Sequence, residues 1–413
     1  MPRRTESLLA IVLALILVVT GAAQDFDWPQ FLGPNRDGHY TGLPLAERWS
    51  DNKPPEVWRK LVGEGFAGPV VSNGRVILFH RVDDHEVVEA LDASSGRTLW
   101  RHDYATAYRD DFGFDEGPRS VPVIVDGRVF TVGAQGQVRA VRFDTGELIW
   151  NVDTKERYQF RKGFFGAAGS PLVEGGRVIA NVGGTDAGIV AFDAETGAEL
   201  WTATEDEASY SSPVAATFGG IRHAVFFTRT GLVGLEAASG LVRFQRRWRS
   251  RVGASVNAAT PLVIDDLIFI SSSYGTGAAL FRVDEGKLAN VWFSGDALIN
   301  HYATSVYHEG YLYGFHGRQE YTQSFRAVEL VTGKVQWNVD GFGAGTVTLA
   351  GDKLLIVREG GELLIAEASQ HALIPVIRGQ ILPAVIRAYP ALANGLLYVR
   401  NQTTLVCLDL RGE

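Results

Sequence analysis

Short apolar runs alternate with polar turns along most of the chain, and the turns recur at regular intervals. Several turns consist of Asn-Gly, Asp-Gly or a close relative between two apolar runs. This is the strongest short signal for a β-hairpin, because both turn residues adopt a positive φ. Such turns lie at residues 73–74, 126–127, 175–176, 265–266, 309–310 and 394–395. No stretch keeps a helical period over many residues, so the pattern predicts an all-β protein.

A second element follows the hairpins and ends in an aromatic residue. Residues 90–100 and 191–201 share the spacing Ala-x-Asp-x-x-x-Gly-x-x-x-Trp, and variants of this spacing recur through the chain at intervals of roughly 45 residues. The repeated positions are occupied by Trp58, Asp92, Gly96, Trp100, Gly146, Trp150, Asp193, Gly197, Trp201, Gly240, Gly286, Trp292, Gly333 and Trp337. A repeat of this length is typical of one blade of a β-propeller.

Each repeat accounts for one four-stranded antiparallel sheet, and the chain contains enough repeats for an eight-bladed β-propeller. The predicted blades lie near residues 66–100, 119–150, 168–201, 211–248, 259–292, 303–337, 344–376 and 389–413. The last blade stops at its glycine turn and lacks the tryptophan strand. We therefore predict that residues 55–61, which carry Trp58, pair with the C-terminal blade and close the ring, since closure removes exposed sheet edges.

The N-terminal residues have a different pattern. Residues 1–23 combine a positive start, an apolar run from Leu8 to Thr20 and small residues, which is the pattern of a secretory signal peptide. An uncleaved anchor is the alternative, although the run is shorter than the roughly 20 residues that span a bilayer. Residues 24–54 are expected to cover one face of a single propeller domain, 55–413, with Trp28 and Phe31 packed against it.

Composition narrows the classes of function. The formal net charge is −8, which argues against nucleic-acid binding because phosphate neutralisation needs a basic surface. A single cysteine, Cys407, excludes an internal disulfide framework and multi-cysteine metal sites. We expect Cys407 to be a buried structural thiol, since it lies in an alternating strand. No cysteine follows the N-terminal apolar run, so no lipid-attachment site is predicted there.

The tryptophan repeat resembles the docking motif of pyrroloquinoline-quinone (PQQ) type propellers. That family includes the eight-bladed quinoprotein dehydrogenases and the BamB-like outer-membrane assembly lipoproteins, and the resemblance covers about residues 27–413. It implies that each tryptophan packs flat between neighbouring blades. Residues 27–38 also resemble an N-terminal signature of secreted bacterial PQQ-like propeller proteins.

The resemblance alone does not imply the dehydrogenase reaction, because fold does not confer function. Those enzymes hold PQQ beneath a disulfide between adjacent cysteines and bind calcium or a lanthanide through carboxylates, whereas this chain has one cysteine. The best acidic cluster, residues 110–116, lacks the spacing of a calcium loop and is expected to be a solvated loop. We therefore expect no cofactor, with PQQ and Ca²⁺ only under a dehydrogenase alternative.

The loops that lead into the innermost strands meet at the centre of a propeller, and we expect any binding site to lie there. Arginine and aromatic residues are enriched in binding hot spots. The candidates are Arg119, Phe164, Phe165, Tyr210, Asn257, Asn300, His301, Tyr302, Arg387 and Tyr389. No catalytic residue or metal ligand is assigned.

The sequence favours an exported, periplasmic or extracellular propeller that acts as a non-catalytic binding or scaffold module of the cell envelope. It is expected to be a monomer that binds an envelope protein or a small ligand at one face, with no transmembrane segment in the mature chain. The alternatives are a divergent PQQ- and calcium-dependent alcohol-type dehydrogenase and an outer-membrane assembly partner similar to BamB.

Overall fold

The computed structural model describes residues 26–50 and 53–412. Within them the chain forms eight antiparallel sheets of four strands each, one of which carries a fifth, parallel strand. This arrangement confirms the predicted all-β, eight-bladed propeller. The predicted signal peptide lies outside the described residues. In the described part of the chain, no helix is both long and apolar enough to cross a membrane.

The first four blades each contain four consecutive strands, from the innermost to the outermost. Blade 1 contains β3 (Val70–Ser72), β4 (Arg75–Val82), β5 (His85–Asp92) and β6 (Thr98–Ala105). Blade 2 contains β7 (Val123–Val125), β8 (Arg128–Val132), β9 (Gln137–Arg142) and β10 (Leu148–Asp153). Blade 3 contains β11 (Leu172–Glu174), β12 (Arg177–Gly184), β13 (Ala187–Asp193) and β14 (Glu199–Ala203). Blade 4 contains β15 (Val214–Phe218), β16 (Ile221–Phe227), β17 (Gly231–Glu236) and β18 (Val242–Arg247).

Blades 5 to 7 follow the same order. Blade 5 contains β19 (Leu262–Ile264), β20 (Leu267–Ser272), β21 (Gly277–Asp284) and β22 (Lys287–Ser294). Blade 6 contains β23 (Val306–His308), β24 (Tyr311–His316), β25 (Ser324–Glu329) and β26 (Val335–Val339). Blade 7 contains β27 (Gly345–Ala350), β28 (Lys353–Arg358), β29 (Glu362–Glu367) and β30 (Ile374–Gln380), and β1 (His39–Tyr40) adds to β27 in parallel. Two short helices are found among the described residues, α1 (Thr154–Tyr158) and a 3-10 helix (Gln319–Tyr321), and both lie in connections between strands.

Blade 8 is built from both ends of the chain. Its inner strands are β31 (Ala391–Ala393), β32 (Leu396–Arg400) and β33 (Thr404–Asp409). Its outermost strand is β2 (Glu56–Leu61), which pairs antiparallel with β33 and places Trp58 opposite Cys407. Cys407 is a free, buried thiol.

Burial explains why the strands of one blade differ in sequence. The second and third strands are covered on both faces by neighbouring blades, so β4 is buried at six consecutive positions, of which residues 76–79 are apolar and the last two are His80 and Arg81. The outermost strands keep one face toward solvent, and β6 accordingly alternates between half-buried and exposed residues along its whole length.

The repeated tryptophans join consecutive blades. Trp58 stacks on Gly96 of blade 1, where a Cβ would lie 2.6 Å from the ring, and its indole N–H donates to the Ala93 carbonyl at 2.8 Å. Trp100 and Trp150 repeat this contact on the glycine turns of blades 2 and 3. Only glycine fits such a turn, because its φ is positive and the ring occupies the space of a side chain.

The contact between a tryptophan and the glycine turn of the next blade is missing between blades 4 and 5. Phe244 occupies the tryptophan position but stacks on His223 of its own blade, with ring centroids 5.8 Å apart. No ring covers Gly286 of blade 5, where an added Cβ would meet nothing within 4 Å. Gly286 therefore serves the tight turn between β21 and β22 rather than docking an aromatic ring.

The N-terminal segment enters the central channel instead of only covering a face. Trp28 forms a β-bridge with Val71 of blade 1, and the Ile124 amide of blade 2 donates to the Pro29 carbonyl. Arg36 is 2 % exposed and donates to the Pro171 and Pro213 carbonyls of blades 3 and 4. Burial lowers the pKa of Arg36 to about 9. This segment thus binds the innermost strands of several blades together.

Candidate functional site

The loops that lead into the innermost strands build a central pocket by a simple rule. Most innermost strands are preceded by a proline, and the residue three positions before that proline lines the pocket. Blade 6 has Ser305 in place of the proline, and Tyr302, three positions before it, lines the pocket as well. The residues that follow this rule are Phe66, Arg119, Ala168, Tyr210, Ala258, Tyr302 and Arg387. Because the loops converge radially, residues from most of the blades meet around one cavity of about 220 Å³.

Aromatic rings form most of the wall. Phe31 of the N-terminal segment meets Tyr389 edge-on, with centroids 4.9 Å apart. Phe165 contacts Phe112 and Tyr210 at 5.3 and 5.5 Å. The Tyr210 hydroxyl accepts hydrogen bonds from the Phe164 and Phe165 amides, which fixes this loop. The pocket therefore suits a flat, largely apolar body.

The structure brings together seven of the ten residues that the sequence suggested. Arg119, Phe165, Tyr210, His301, Tyr302, Arg387 and Tyr389 line the pocket. Asn257 and Asn300 do not; their side-chain amides donate to backbone carbonyls, so both are buried parts of the scaffold. Phe164 lies outside the lining, beneath the guanidinium of Arg229.

Both terminal nitrogens of Arg119 have hydrogen-bond partners from the surrounding protein. Arg119 pairs with Asp110 and donates to the Tyr108 hydroxyl and to the Phe165 and Asp115 carbonyls. The Asp110 side chain is fully buried in this pair. The expectation that residues 110–116 form a solvated acidic loop holds for residues 111–114, which are exposed, and is wrong for Asp110, whose side chain is buried, and for Asp115, which is buried where the loop folds back against Arg119.

Arg387 is held in place but keeps free donors. Its Nε donates to Glu359 at 2.5 Å, and its guanidinium lies 5.3 Å from the ring centroid of Phe114 and 5.5 Å from that of Phe66. Within the described residues, neither terminal nitrogen of Arg387 has a hydrogen-bond partner. A guanidinium fixed in this way presents two parallel N–H groups, the geometry that binds a carboxylate.

Tyr302 adds a second free polar group on the same side. Its hydroxyl is buried and has no hydrogen-bond partner among the described residues. Burial raises the pKa of Tyr302, with a further contribution from Glu359, so the group is a neutral O–H donor. Since a buried hydroxyl without a partner is costly, its position in the wall points to a ligand atom that would accept from it.

His301 belongs to a chain of hydrogen bonds beside Tyr302, whose ring centroid lies 6.0 Å from that of His301. Its Nδ1 lies 2.5 Å from Gln319 Oε1, and its Nε2 lies 2.8 Å from the Tyr274 hydroxyl. Burial lowers the pKa of His301, which favours the neutral ring. Because the amide oxygen can only accept, the proton lies on Nδ1, and Tyr274 donates to Nε2. Both ring nitrogens are thus occupied within the protein.

Twelve of the nineteen lining residues were not among the candidates of the sequence analysis. The six of these with aromatic or long polar side chains are Phe31, Phe66, Phe114, Tyr274, Gln319 and Glu320. Phe66 carried a usable signal, since it stands three residues ahead of Pro69, as Arg119 does ahead of Pro122. The others come from the N-terminal segment, a long connection between blades and loops between second and third strands, which have no common spacing.

Known proteins with a similar sequence fall into two groups. A family model described as outer membrane protein assembly factor BamB matches residues 83–339. The chain belongs to this family. It is also 30% identical over 140 residues, 33% of its length, to the quinohemoprotein alcohol dehydrogenase ADH-IIG of Pseudomonas putida, of which it spans only 19%.

The BamB relatives match over a greater length. The BamB of Moranella endobia is 26% identical over 275 residues, which are 60% of this chain and 64% of that protein. The crystal structure of BamB from Moraxella catarrhalis superimposes with a TM-score of 0.64 at 15% identity, covering 86% of this chain and 97% of the other. This structural likeness shows the shared fold.

Proposed function

We propose that the chain is a non-catalytic binding module of the cell envelope, and that its central pocket holds a small ligand with a flat apolar body and a carboxylate group. The observation that carries the proposal is a pair of donors without a hydrogen-bond partner among the described residues, the terminal nitrogens of Arg387 and the buried hydroxyl of Tyr302, in a wall rich in aromatic rings. Export is supported by the signal-peptide pattern of residues 1–23 and by the envelope role that the family description names.

The free hydrogen-bond donors of the pocket, rather than its net charge, favour a ligand with one carboxylate. Arg119 and Arg387 are paired with Asp110 and Glu359, so neither site needs an anion for neutrality. Of the two arginines, only Arg387 has terminal nitrogens left for a ligand. A carboxylate that accepts from both of them while its aromatic ring contacts the phenylalanines would satisfy these donors, and Arg387 would then lie between it and Glu359.

The dehydrogenase alternative is favoured by the match to quinohemoprotein alcohol dehydrogenase, but the donor set does not suit calcium. Calcium takes six to eight oxygen ligands, usually including several carboxylates. The one carboxylate among the lining residues is Glu320, which accepts from Arg318. In the described part of the chain, no group of three or more His, Cys, Asp or Glu side chains is placed to hold a metal ion. We therefore assign no step to PQQ or calcium.

The ligand proposal is tested by calorimetric titration with 2-naphthoate and with its neutral analogue 2-naphthamide. We expect the carboxylate to bind and the amide to bind at least tenfold more weakly, since a charge-assisted bidentate contact contributes about 1.5 to 3 kcal/mol. Arg387→Gln should abolish this preference, while Arg97→Gln, an exposed arginine of blade 1, should keep it. Equal binding of both compounds would refute carboxylate recognition.

The non-catalytic assignment needs a separate assay. The protein is incubated with PQQ and Ca²⁺, and the reduction of an artificial electron acceptor by a primary alcohol is followed. We expect no turnover above that of PQQ and Ca²⁺ without protein. Alcohol-dependent turnover would establish the dehydrogenase alternative, whatever the outcome of the naphthoate titration.

A role as an assembly partner is supported by the family match over residues 83–339. Exposed aromatic residues beside the pocket, including Phe112 and Phe114, offer a surface that a protein segment could contact. Affinity capture from an envelope extract with the Phe112→Ser variant as a comparison tests this role, since a partner bound at this rim should be retained only by the parent protein.

A further inference from the structure

The charge of the molecule is distributed very unevenly. The whole chain has a formal net charge of −8, yet residues 208–264 contain seven arginines, no lysine and one carboxylate, Glu236. This stretch comprises blade 4 and the connection to blade 5. When Glu174 and Glu207, which pair with arginines of this stretch from outside it, are counted as well, a local excess of four positive charges remains in an acidic protein, and this excess attracts anions.

Three of these arginines have no carboxylate to neutralise them. Arg222 pairs with Glu174, Arg229 and Arg249 share Glu207, and Arg243 pairs with Glu236. Among the described residues, Arg246, Arg247 and Arg251 form no ion pair, and all three are exposed. We call Arg243, Arg246, Arg247, Arg249 and Arg251 the basic sector.

Apolar side chains lie directly beside the basic sector. Trp248 stands between Arg247 and Arg249 in the sequence. Its ring contacts Phe293 of blade 5 edge-on, with centroids 5.5 Å apart, and Phe293 is 59% exposed. The Arg246 guanidinium lies 5.6 Å from the centre of the Phe281 ring. Val252, in the same connection, is 51% exposed. Guanidinium groups and exposed apolar groups therefore share one edge of the propeller.

Protection of a sheet edge does not explain this concentration. Charged residues on an outermost strand do discourage edge-to-edge pairing. However, the outermost strands β10, β14 and β26 contain no lysine or arginine at all, whereas three of the six residues of β18 are arginines. The other outermost strands contain at most two lysine or arginine residues, and three of them contain none, so the number of arginines on β18 exceeds what edge protection needs in the other blades.

We propose that the basic sector docks the propeller on an anionic lipid surface, independently of the central pocket. Guanidinium groups bind phosphate oxygens in a bidentate manner, and each contributes about 1 kcal/mol near an anionic membrane. Aromatic and aliphatic groups such as Phe293 and Val252 insert at the level of the headgroups. This combination favours a lipid surface over an acidic protein, which would offer carboxylates but no apolar layer.

Co-sedimentation with vesicles tests the proposal. The full chain is mixed with vesicles of phosphatidylcholine alone or of phosphatidylcholine and phosphatidylglycerol. We expect stronger binding to the anionic vesicles, and we expect the double variant Arg246→Gln/Arg247→Gln to lose about thirtyfold in binding to them, since two contributions of about 1 kcal/mol add to about 2 kcal/mol. Residues 1–23 are common to both proteins and cannot cause this difference.

A matched control separates the basic sector from net charge. Arg97→Gln/Arg142→Gln removes two exposed arginines from blades 1 and 2 and should bind anionic vesicles almost as the parent protein does. Phe293→Ser should weaken binding to anionic vesicles while its salt dependence stays unchanged. Equal losses in both arginine pairs would overturn the proposal. So would binding to soluble polyglutamate without any preference for anionic vesicles, which would assign the sector to an acidic protein partner.

Discussion

Two arginines at equivalent places in the repeat have different roles because their neighbours differ. Both stand three residues ahead of the proline that opens an innermost strand. The long loop between blades 1 and 2 provides Asp110 and the Asp115 carbonyl for Arg119, and the connection between blades 2 and 3 adds the Phe165 carbonyl, whereas Arg387 receives one carboxylate, Glu359. The sequence could identify both residues, but the number of free donors depends on how a distant loop folds back.

Tyr302→Phe removes the buried hydroxyl without changing the ring. Because that hydroxyl has no partner among the described residues, we expect the variant to be as stable as the parent, or more stable by up to about 1 kcal/mol. Binding of 2-naphthoate should weaken about fivefold. Tyr389→Phe is the control, since its hydroxyl accepts from the Thr304 amide and its loss should reduce stability. A stability loss in Tyr302→Phe would mean that the hydroxyl already has a structural partner.

Cys407 offers a second test at the level of one residue. The thiol is fully buried under Trp58 and Tyr398, and burial raises its pKa to about 12. Since the thiolate is the reactive form, we expect no reaction with a chromogenic disulfide reagent at pH 8 in the native protein and one equivalent of reaction in denaturant. Rapid labelling of the native protein would show that β2 detaches readily from β33.

At the scale of elements, the repeat predicted the blades more reliably than the contacts between them. The spacing identified Trp58 as the missing residue of the last blade, and β2 indeed pairs with β33. The spacing did not predict that Phe244 stacks on His223 of its own blade. Phenylalanine has no ring N–H to donate to the next blade, so the contact that a tryptophan makes there is lost. Gly286 therefore occupies the same position in the repeat as Gly197, but no aromatic ring lies against it.

Comparing Gly197→Ala with Gly286→Ala measures the docking contact. Both glycines have a φ near +75°, so both substitutions incur the cost of a left-handed alanine, about 1 kcal/mol. At Gly197 the new Cβ would also lie 2.7 Å from the Trp150 ring, whereas nothing lies near Gly286. We expect Gly197→Ala to reduce the free energy of unfolding by about 2 kcal/mol more than Gly286→Ala, measured by denaturant titration.

At the scale of the whole molecule, the fold was predictable because the repeats share one sequence pattern and each pattern predicts the same four-stranded blade. The hairpin turns, the docking glycines and the tryptophans all agree on four-stranded blades, and such consistency specifies a fold. The pocket was predictable only where it follows the repeat. Phe31, Phe114 and Tyr274 reach it from segments whose course depends on tertiary packing, so no local pattern marks them.

The buried histidines predict how the stability of the whole molecule depends on pH. Burial lowers the pKa of His80, His102, His223, His301 and His316, the last to about 4. Between that pH and 6.5, the unfolded chain binds protons that the folded chain does not, so stability falls as the pH falls. Glu86 acts in the opposite sense, because burial raises its pKa and its contribution is lost as the pH rises.

Because five groups act in one direction, we expect the melting temperature to fall by several degrees between pH 7 and pH 4.5. His316→Gln should make this dependence shallower, since glutamine keeps an acceptor for the Ile299 amide but does not titrate. A melting temperature that is constant or rises over this range would mean that the buried rings take up protons in the folded state. In that case the polar networks between the blades would have to accommodate charged imidazolium groups, and the neutral Tyr274–His301–Gln319 chain in the pocket wall would need to be reassigned.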